Sequence, residues 1–290
     1  MTHETGTVET ADGLSLFARR WTPDRPTRLV VALVHGVHEH SGRYAYLASA
    51  LMARGVAVHA VDLRGHGQSP GERGQVQASF SEYVRDAEAL LASAGGAAGA
   101  LPLVLMGHSM GGLVAAQTVV ERGADGLAGL VLSSPALSVR TPALLRAAAP
   151  HVARWFPDAP ATRVDLAKLS HDPTVERSYR EDPLTQVRGV RARLAYAVAQ
   201  AMDEVREHPG AFNLPLYLFH GGADTVTDPA GTRWLAEHAP GDVTLRVYDG
   251  LFHETLNETE RDAVIGDLAD WLEERAAPPD TAPAGAAPPG

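Results

Sequence analysis

The chain has 290 residues, 45% hydrophobic and 21% charged, ordinary proportions for a globular protein, and its length suits one large α/β domain with an insertion. A formal net charge of −10 weighs against nucleic acid or a strongly anionic membrane as the main partner, because both repel an acidic surface. The absence of cysteine excludes disulfides, thiolate catalysis and cysteine-ligated metals.

Residues 1–12 are polar and acidic, without the basic-then-apolar order of a secretory signal, and no run is long enough to span a bilayer, so cytoplasmic residence is the expectation. Residues 5–10 and 14–21 are rich in β-formers and flank Asp12-Gly13, which predicts a hairpin at the sheet edge. The apolar run 29–34 predicts a buried strand ending at His35-Gly36, followed by a polar loop over 37–42 and a helix over 44–54. A further strand is expected at 56–61, opening into a Gly-rich turn over 62–69. Phe80, Val84, Ala87 and Leu91 recur at helical spacing and predict a helix over 80–94, with a flexible link at 95–100.

The run Leu103 to Met106 then ends abruptly in small residues that bracket Ser109, and 113–121 reads as a helix. Ser109 therefore sits at a strand-to-helix corner, where Gly107 and Gly111 let backbones approach closely while the serine is held in a strained turn with its oxygen exposed. The alternative is a Gly-rich turn with a capping serine. A sixth strand is expected at 129–132, and the alternation so far argues a mostly parallel sheet with right-handed crossovers.

Between 137 and 213 no strand-like run appears, and 143–156, 175–182 and 190–207 read as helices broken by prolines at 150, 157, 160, 173 and 183. This stretch predicts a helical cap over the carboxyl edge of the sheet, where ligands of open α/β sheets bind, although ordinary sheet-covering helices would read the same way. An apolar stripe there, Leu144, Leu145, Val152, Trp155 and Phe156, suits an acyl tunnel, a membrane-facing surface or plain core. Strands at 214–219 and 243–247, a helix near 230–239 and an amphipathic helix over 261–275 follow. The organisation predicted is a core of 1–136 and 214–276, a cap of 137–213, and a Pro/Ala/Gly tail of 277–290 that cannot bury a core and is expected to be disordered.

A serine hydroxyl needs a histidine to take its proton, and that histidine works best with a carboxylate fixing its tautomer. Asp224 follows an apolar strand in a Gly-rich loop, and His253 follows the last strand, giving the order Ser109, Asp224, His253. Asp228 is an alternative acid, and Asp224 could instead cap a turn; His220, at a strand end, and His238, in a helix, compete with His253. The oxyanion needs two aimed N–H donors, assigned to Met110 and Val37. Metal binding by His35, His38 and His40 is the rival reading of that second loop, but no matching carboxylate–histidine spacing accompanies it, and no metal is expected.

In this order, His35-Gly36-Val37-His38-Glu39-His40-Ser41-Gly42-Arg43-Tyr44, Asp62-Leu63-Arg64-Gly65-His66-Gly67-Gln68-Ser69, Gly107-His108-Ser109-Met110-Gly111-Gly112, Gly221-Gly222-Ala223-Asp224 and Phe252-His253-Glu254 resemble the monoacylglycerol lipase and lysophospholipase group of the α/β-hydrolases, also called serine aminopeptidase-type hydrolases. The resemblance implies the α/β-hydrolase fold with a helical cap after the sixth strand, a buried acyl channel, and cofactor-free hydrolysis of an ester of one long or medium acyl chain. It also implies that Glu39 and Arg43 lie near the alcohol-binding side, with a loop ion pair as the alternative, and that Asp62, Arg64 and His66 tie the second loop beneath the site. Some members carry a second histidine shortly after the catalytic one, whereas Leu256 and Asn257 follow here.

The expected function is hydrolysis of a monoacylglycerol-like lipid ester through an acyl-enzyme, with transient membrane contact through the cap and no nucleic-acid partner. Lysophospholipases, short- or medium-chain carboxylesterases and acyltransferases use the same residues. A non-catalytic receptor of this fold, binding a small ligand under the cap, is the reading from a different class.

Overall fold

The computed structural model describes residues 2–76, 78–186 and 189–276. Strands β1 (Thr2–Glu9) and β2 (Ser15–Thr22) form an antiparallel hairpin at one sheet edge. Gly13 takes φ +83° in the turn, a conformation that a side chain would disfavour. The chain continues through β3 (Leu29–Val34), α1 (Ala45–Ala53), β4 (Val56–Val61), α2 (Ser81–Ala98), β5 (Leu103–His108), α3 (Met110–Arg122) and β6 (Gly129–Ser133).

Each strand from β3 to β6 is buried along its whole length, as expected of strands covered on both faces. The two-residue period divides β3 cleanly. Val30, Ala32 and Val34 pack with Tyr83, Leu90, Leu113 and Val114 of α2 and α3. Leu29, Val31 and Leu33 pack on the opposite face with Leu47 and Leu51 of α1.

After β6 come α4 (Ala143–Trp155), β7 (Pro160–Thr162), α5 (Pro173–Glu181), β8 (Val190–Arg191) and α6 (Ala192–Glu207). The sheet resumes with β9 (Leu216–Gly221), α7 (Pro229–His238), β10 (Val243–Tyr248) and α8 (Arg261–Ala276), whose Val264, Leu268 and Leu272 join α1 beneath the sheet. The sheet order is β1-β2-β4-β3-β5-β6-β9-β10, parallel from β4 through β10. Strand β3 lies between β4 and β5, so successive crossovers run to opposite sides of it, and the loops beyond β3 and β5 open a crevice at the carboxyl edge.

Four expectations need correction. Helix α2 runs through Gly95 and Gly96 to Ala98 instead of yielding to a flexible link at 95–100, because Ala94 and Ala98 are buried on the core and Gly99, at φ +60°, makes the turn. Helix α4 carries Pro150 inside it rather than breaking there. The stretch without predicted strands contains β7 and β8, paired antiparallel; they are two or three residues long and too short to show a period. Finally, the α4 stripe is not core: Leu144 is 81% exposed, and Trp155 and Phe156 are each 68% exposed. The expected tail at 277–290 lies outside the described residues. Among the described residues, no helix is long and apolar enough to cross a membrane.

Candidate active site

Ser109 stands between β5 and α3 at φ +54°, ψ −121°, a left-handed conformation that costs a non-glycine residue strain. Glycines make the corner possible. A Cβ on Gly107 would meet the Gly111 carbonyl, and one on Gly111 would meet the carbonyls of Val34 and His35, so strand, helix and neighbouring loop touch backbone to backbone. The Ser109 N–H donates to the Ser133 carbonyl at 2.9 Å, and its own carbonyl accepts from Ala136 N–H at 2.9 Å, fixing the turn from β6.

The loops after β9 and β10 bring two further groups to this corner. His253 Nε2 lies 2.9 Å from Ser109 Oγ, and His253 Nδ1 lies 2.7 Å from Asp224 Oδ2. All three residues are buried. Asp224 Oδ1 accepts the backbone N–H groups of Val226 and Thr227 at 2.7 and 3.1 Å. Burial opposes ionisation of Asp224, but His253 and His220 outweigh it and hold the carboxyl well below its ordinary range. An ionised carboxylate only accepts hydrogen bonds, so His253 Nδ1 carries the proton and Nε2 is free to accept one from Ser109. Burial also opposes the imidazolium of His253, yet Asp224, with Glu254 and Glu39 beyond it, leaves its pKa raised.

Gly36 runs against Ser109 so closely that a Cβ there would lie 3.2 Å from Ser109 Cβ. His35 Nε2 accepts Leu63 N–H at 2.9 Å, so Nδ1 carries the ring proton and donates to the Gly36 carbonyl at 2.7 Å. In a trans peptide the N–H points opposite to the C=O, so this bond turns the Val37 N–H away from His35. The Met110 N–H is the first of α3, one of the donors a helix leaves unpaired, at the positive end of its dipole. Among the described residues neither N–H is engaged in another hydrogen bond.

Glu39 and Arg43 form part of a buried cluster. Glu39 Oε1 accepts Gly36 N–H at 2.6 Å and Tyr44 O–H at 2.8 Å, and its Oε2 accepts Arg43 at 2.7 Å. The guanidinium also grips both oxygens of Glu254, at 2.9 and 2.8 Å, and lies 4.5 Å over the Tyr179 ring. Glu39, His108 and Glu254 line one side of the cavity over Ser109, while Val164, Leu166, Leu169 and Val226 supply an apolar side.

The competing assignments take other places. Asp228 caps α7 through Ala230 N–H and pairs with Arg140. His238 bonds the Trp234 carbonyl, and His40 joins Gly42 N–H to Asp182. Among the described residues no three His, Cys, Asp or Glu side chains are grouped to hold a metal ion. Asp62 collects Arg19, Ser41 and Gln68 N–H, and Arg64 pairs with Asp12 and Asp86.

Sequence reading missed the residues that hold the site together. Thr227 O–H reaches Asp224 Oδ2 at 2.9 Å and Tyr179 O–H donates to the Val37 carbonyl at 3.2 Å. Glu258 joins the His253 loop to the cap, accepting Phe252 N–H at 2.7 Å, Ser170 O–H at 2.9 Å and His171 N–H at 2.7 Å. None of the three lies in a motif, and Glu258 stands four residues beyond the last one, Phe252-His253-Glu254.

The chain is similar to known proteins over most of its length. The family model described as serine aminopeptidase, S33, matches residues 25–260. A monoacylglycerol lipase of Mycolicibacterium smegmatis is 36% identical over 259 residues, covering 87% of this chain and 90% of that one. A human monoglyceride lipase is 34% identical over 280 residues, covering 94% and 91%. The crystal structure of Paleococcus ferrophilus monoacylglycerol lipase superposes with a TM-score of 0.80 at 32% identity, covering 90% of this chain and 99% of the other.

Proposed function

From the premise that this chain belongs to the serine aminopeptidase, S33, family and is a serine ester hydrolase, we propose that it cleaves monoacylglycerols, with Ser109, His253 and Asp224 as its catalytic residues. The observation that carries the residue assignment is the unbroken run of hydrogen bonds from Ser109 Oγ through His253 to Asp224, at 2.9 and 2.7 Å.

Ser109 Oγ attacks the acyl carbonyl while His253 Nε2 takes its proton, and Asp224 stabilises the imidazolium that forms. The N–H groups of Val37 and Met110 receive the negative charge on the tetrahedral oxygen, a contribution of about 3 kcal/mol per donor in comparable sites. Collapse transfers the proton from His253 to the departing glycerol oxygen and leaves the acyl group on Ser109. Water, deprotonated by His253, then releases the fatty acid and restores the serine. Glu39 lines the cavity on the alcohol side, and Arg43, which does not line it, holds Glu39 there from the buried cluster. With two carboxylates to one guanidinium, the Glu39–Arg43–Glu254 cluster favours an uncharged alcohol over a phosphate-bearing one, which supports a monoacylglycerol above a lysophospholipid. The exposed α4 stripe contacts the lipid surface from which the substrate is drawn.

The test is fatty-acid release from matched monoacylglycerols, lysophosphatidic acids and p-nitrophenyl esters, together with fluorophosphonate labelling. The expected result is preference for monoacylglycerol and a single adduct at Ser109, absent from S109A. An S109A protein with full activity, or a wild type that takes no label, overturns the assignment.

A further inference from the structure

His220, the penultimate residue of β9, is fully buried, four residues before Asp224. Its Nε2 lies 3.0 Å from Asp224 Oδ2, the same oxygen that His253 Nδ1 approaches at 2.7 Å. On its other side, Nδ1 lies 2.7 Å from Thr232 Oγ1, on the first turn of α7. These contacts decide the tautomer. The ionised Asp224 has no proton to give, so His220 Nε2 must be the donor, and Nδ1 is left to accept the Thr232 hydroxyl proton.

Two imidazole N–H groups therefore converge on a single carboxylate oxygen, one from strand β9 and one from the loop after β10. Thr227 Oγ1 is the third group there, 2.9 Å from Asp224 Oδ2, 3.2 Å from the Ser134 carbonyl, 3.2 Å from His220 Nε2 and 3.3 Å from His253 Nδ1. Its one proton has two acceptors to choose between, whereas the His220 Nε2–H has the charged Asp224 Oδ2 as its nearer acceptor.

We propose that His220 is a positioning residue for the hydrolysis, whose Nε2–H orients the Asp224 carboxylate toward His253 and takes up part of the negative charge that Asp224 offers to it. The proposal rests on the Ser109–His253–Asp224 reading above. His220 supplies this bond without adding a charge: burial disfavours its imidazolium more strongly than Asp224 favours it, and it stays neutral beside the site. Losing the donor has two consequences. The Asp224 carboxylate loses one of the hydrogen bonds that fix its Oδ2, and more of the charge on Oδ2 falls on His253 Nδ1–H, which stabilises the imidazolium and makes the base titrate at higher pH. The charged and titratable groups that bear on the pair are His253 with Glu254, Glu39 and His108 around it, and Asp228 on the side of His220.

The experiment compares His220→Gln with His220→Asn. A glutamine amide sets its N–H where Nε2 stands and reaches Asp224; an asparagine amide stops near the position of Nδ1, facing Thr232, and falls short. Both are polar and close in size. The expected result is that H220N lowers kcat/KM about 10- to 100-fold, the effect of losing a hydrogen bond to a charged group, and moves the acid limb of the pH profile up by about half a unit or more. H220Q stays within about threefold of wild type, with the limb in place. Rates are normalised to the amount of protein that fluorophosphonate finally labels, so a poorly folded fraction does not count. An H220N enzyme with wild-type rate and pH profile overturns the proposal, as do two variants equally impaired with an unmoved limb, which would make His220 only a space-filling residue. Failure of the wild type to label at Ser109 is a separate outcome that overturns the underlying assignment instead.

Discussion

The guanidinium of Arg43 and the carboxylate of Glu254 meet in a two-bond pair, 2.9 and 2.8 Å, that ties the loop after β3 to the loop carrying His253. Both side chains are more than nine-tenths buried. A buried pair of this kind gains little over apolar packing but costs heavily when one partner is removed, because the other charge is left without compensation.

Replacement of Arg43 by Gln therefore strands Glu39 and Glu254 together in the interior. The expected loss is about 3–5 kcal/mol of stability, read by urea unfolding, together with a fall in kcat as the His253 loop loosens. The double variant R43Q/E254Q removes one of the two stranded charges and recovers part of the stability. Unchanged unfolding midpoints in R43Q would contradict this account.

Activity should fall on the acid side at a pH above that of an ordinary imidazole. Burial alone would lower the pKa of His253, but Asp224, Glu254 and Glu39 raise it, and the residue serves as a base only when unprotonated. The kcat/KM profile is expected to lose activity as pH falls through a midpoint above about 6.5. A midpoint at or below that value would show that the carboxylates do not dominate.

Stability should follow the opposite group of histidines. Burial holds His38 and His66 down to about 3 and His35, His59 and His108 down to about 4, so all five stay neutral in the folded chain near neutral pH. Unfolded, they titrate near 6.5. Their contribution is complete above that pH and shrinks below it, by about 1.4 kcal/mol per pH unit for each histidine, as the unfolded chain binds protons that the folded chain refuses. His220 is lowered by burial as well and adds in the same direction, whereas His253, with its raised pKa, works the other way. Urea unfolding between pH 7 and pH 5 is expected to show a steep fall in stability, and a flat profile would refute it.

The cap surface offers a test of a different kind. Trp155 and Phe156 are two-thirds exposed at the end of α4, and Leu144 and Leu145 are exposed at its start, an apolar face costly to leave in water. Changing both to Ser should weaken sedimentation with zwitterionic vesicles and slow hydrolysis of monoacylglycerol presented in them. Hydrolysis of a dissolved short-chain p-nitrophenyl ester should be unchanged. Equal loss on both substrates would mean that α4 acts on the site itself.

Much of the architecture was legible because its determinants are local. The run 29–34 is apolar at every position and 56–61 at all but His59, and both are strands with those same bounds, since a strand covered on both faces shows no alternating polar side. The corner at Ser109 was legible for a related reason: the glycines that permit it, the strand before it and the helix after it lie within a few residues. The cap was less so. Pro150 inside α4, like the pair Gly95-Gly96 in α2 of the core, carries a breaker signal worth about 1–3 kcal/mol in a lone helix, and in α2 the burial of Ala94 and Ala98 overrode it.

By itself, then, the sequence determined the order of strands and helices, the strained serine corner, and which residue types stand after each strand, because backbone preference and two-residue alternation act over short spans. Tertiary structure alone decided that Asp224 rather than Asp228 faces His253, that Glu39 and Arg43 are bound to Glu254, and that His220 and Thr227 share the Asp224 carboxylate. Hydrogen bonds reach about 3 Å, and these partners come from loops set side by side only when the parallel sheet folds, so no local pattern in the chain could encode which of them would meet.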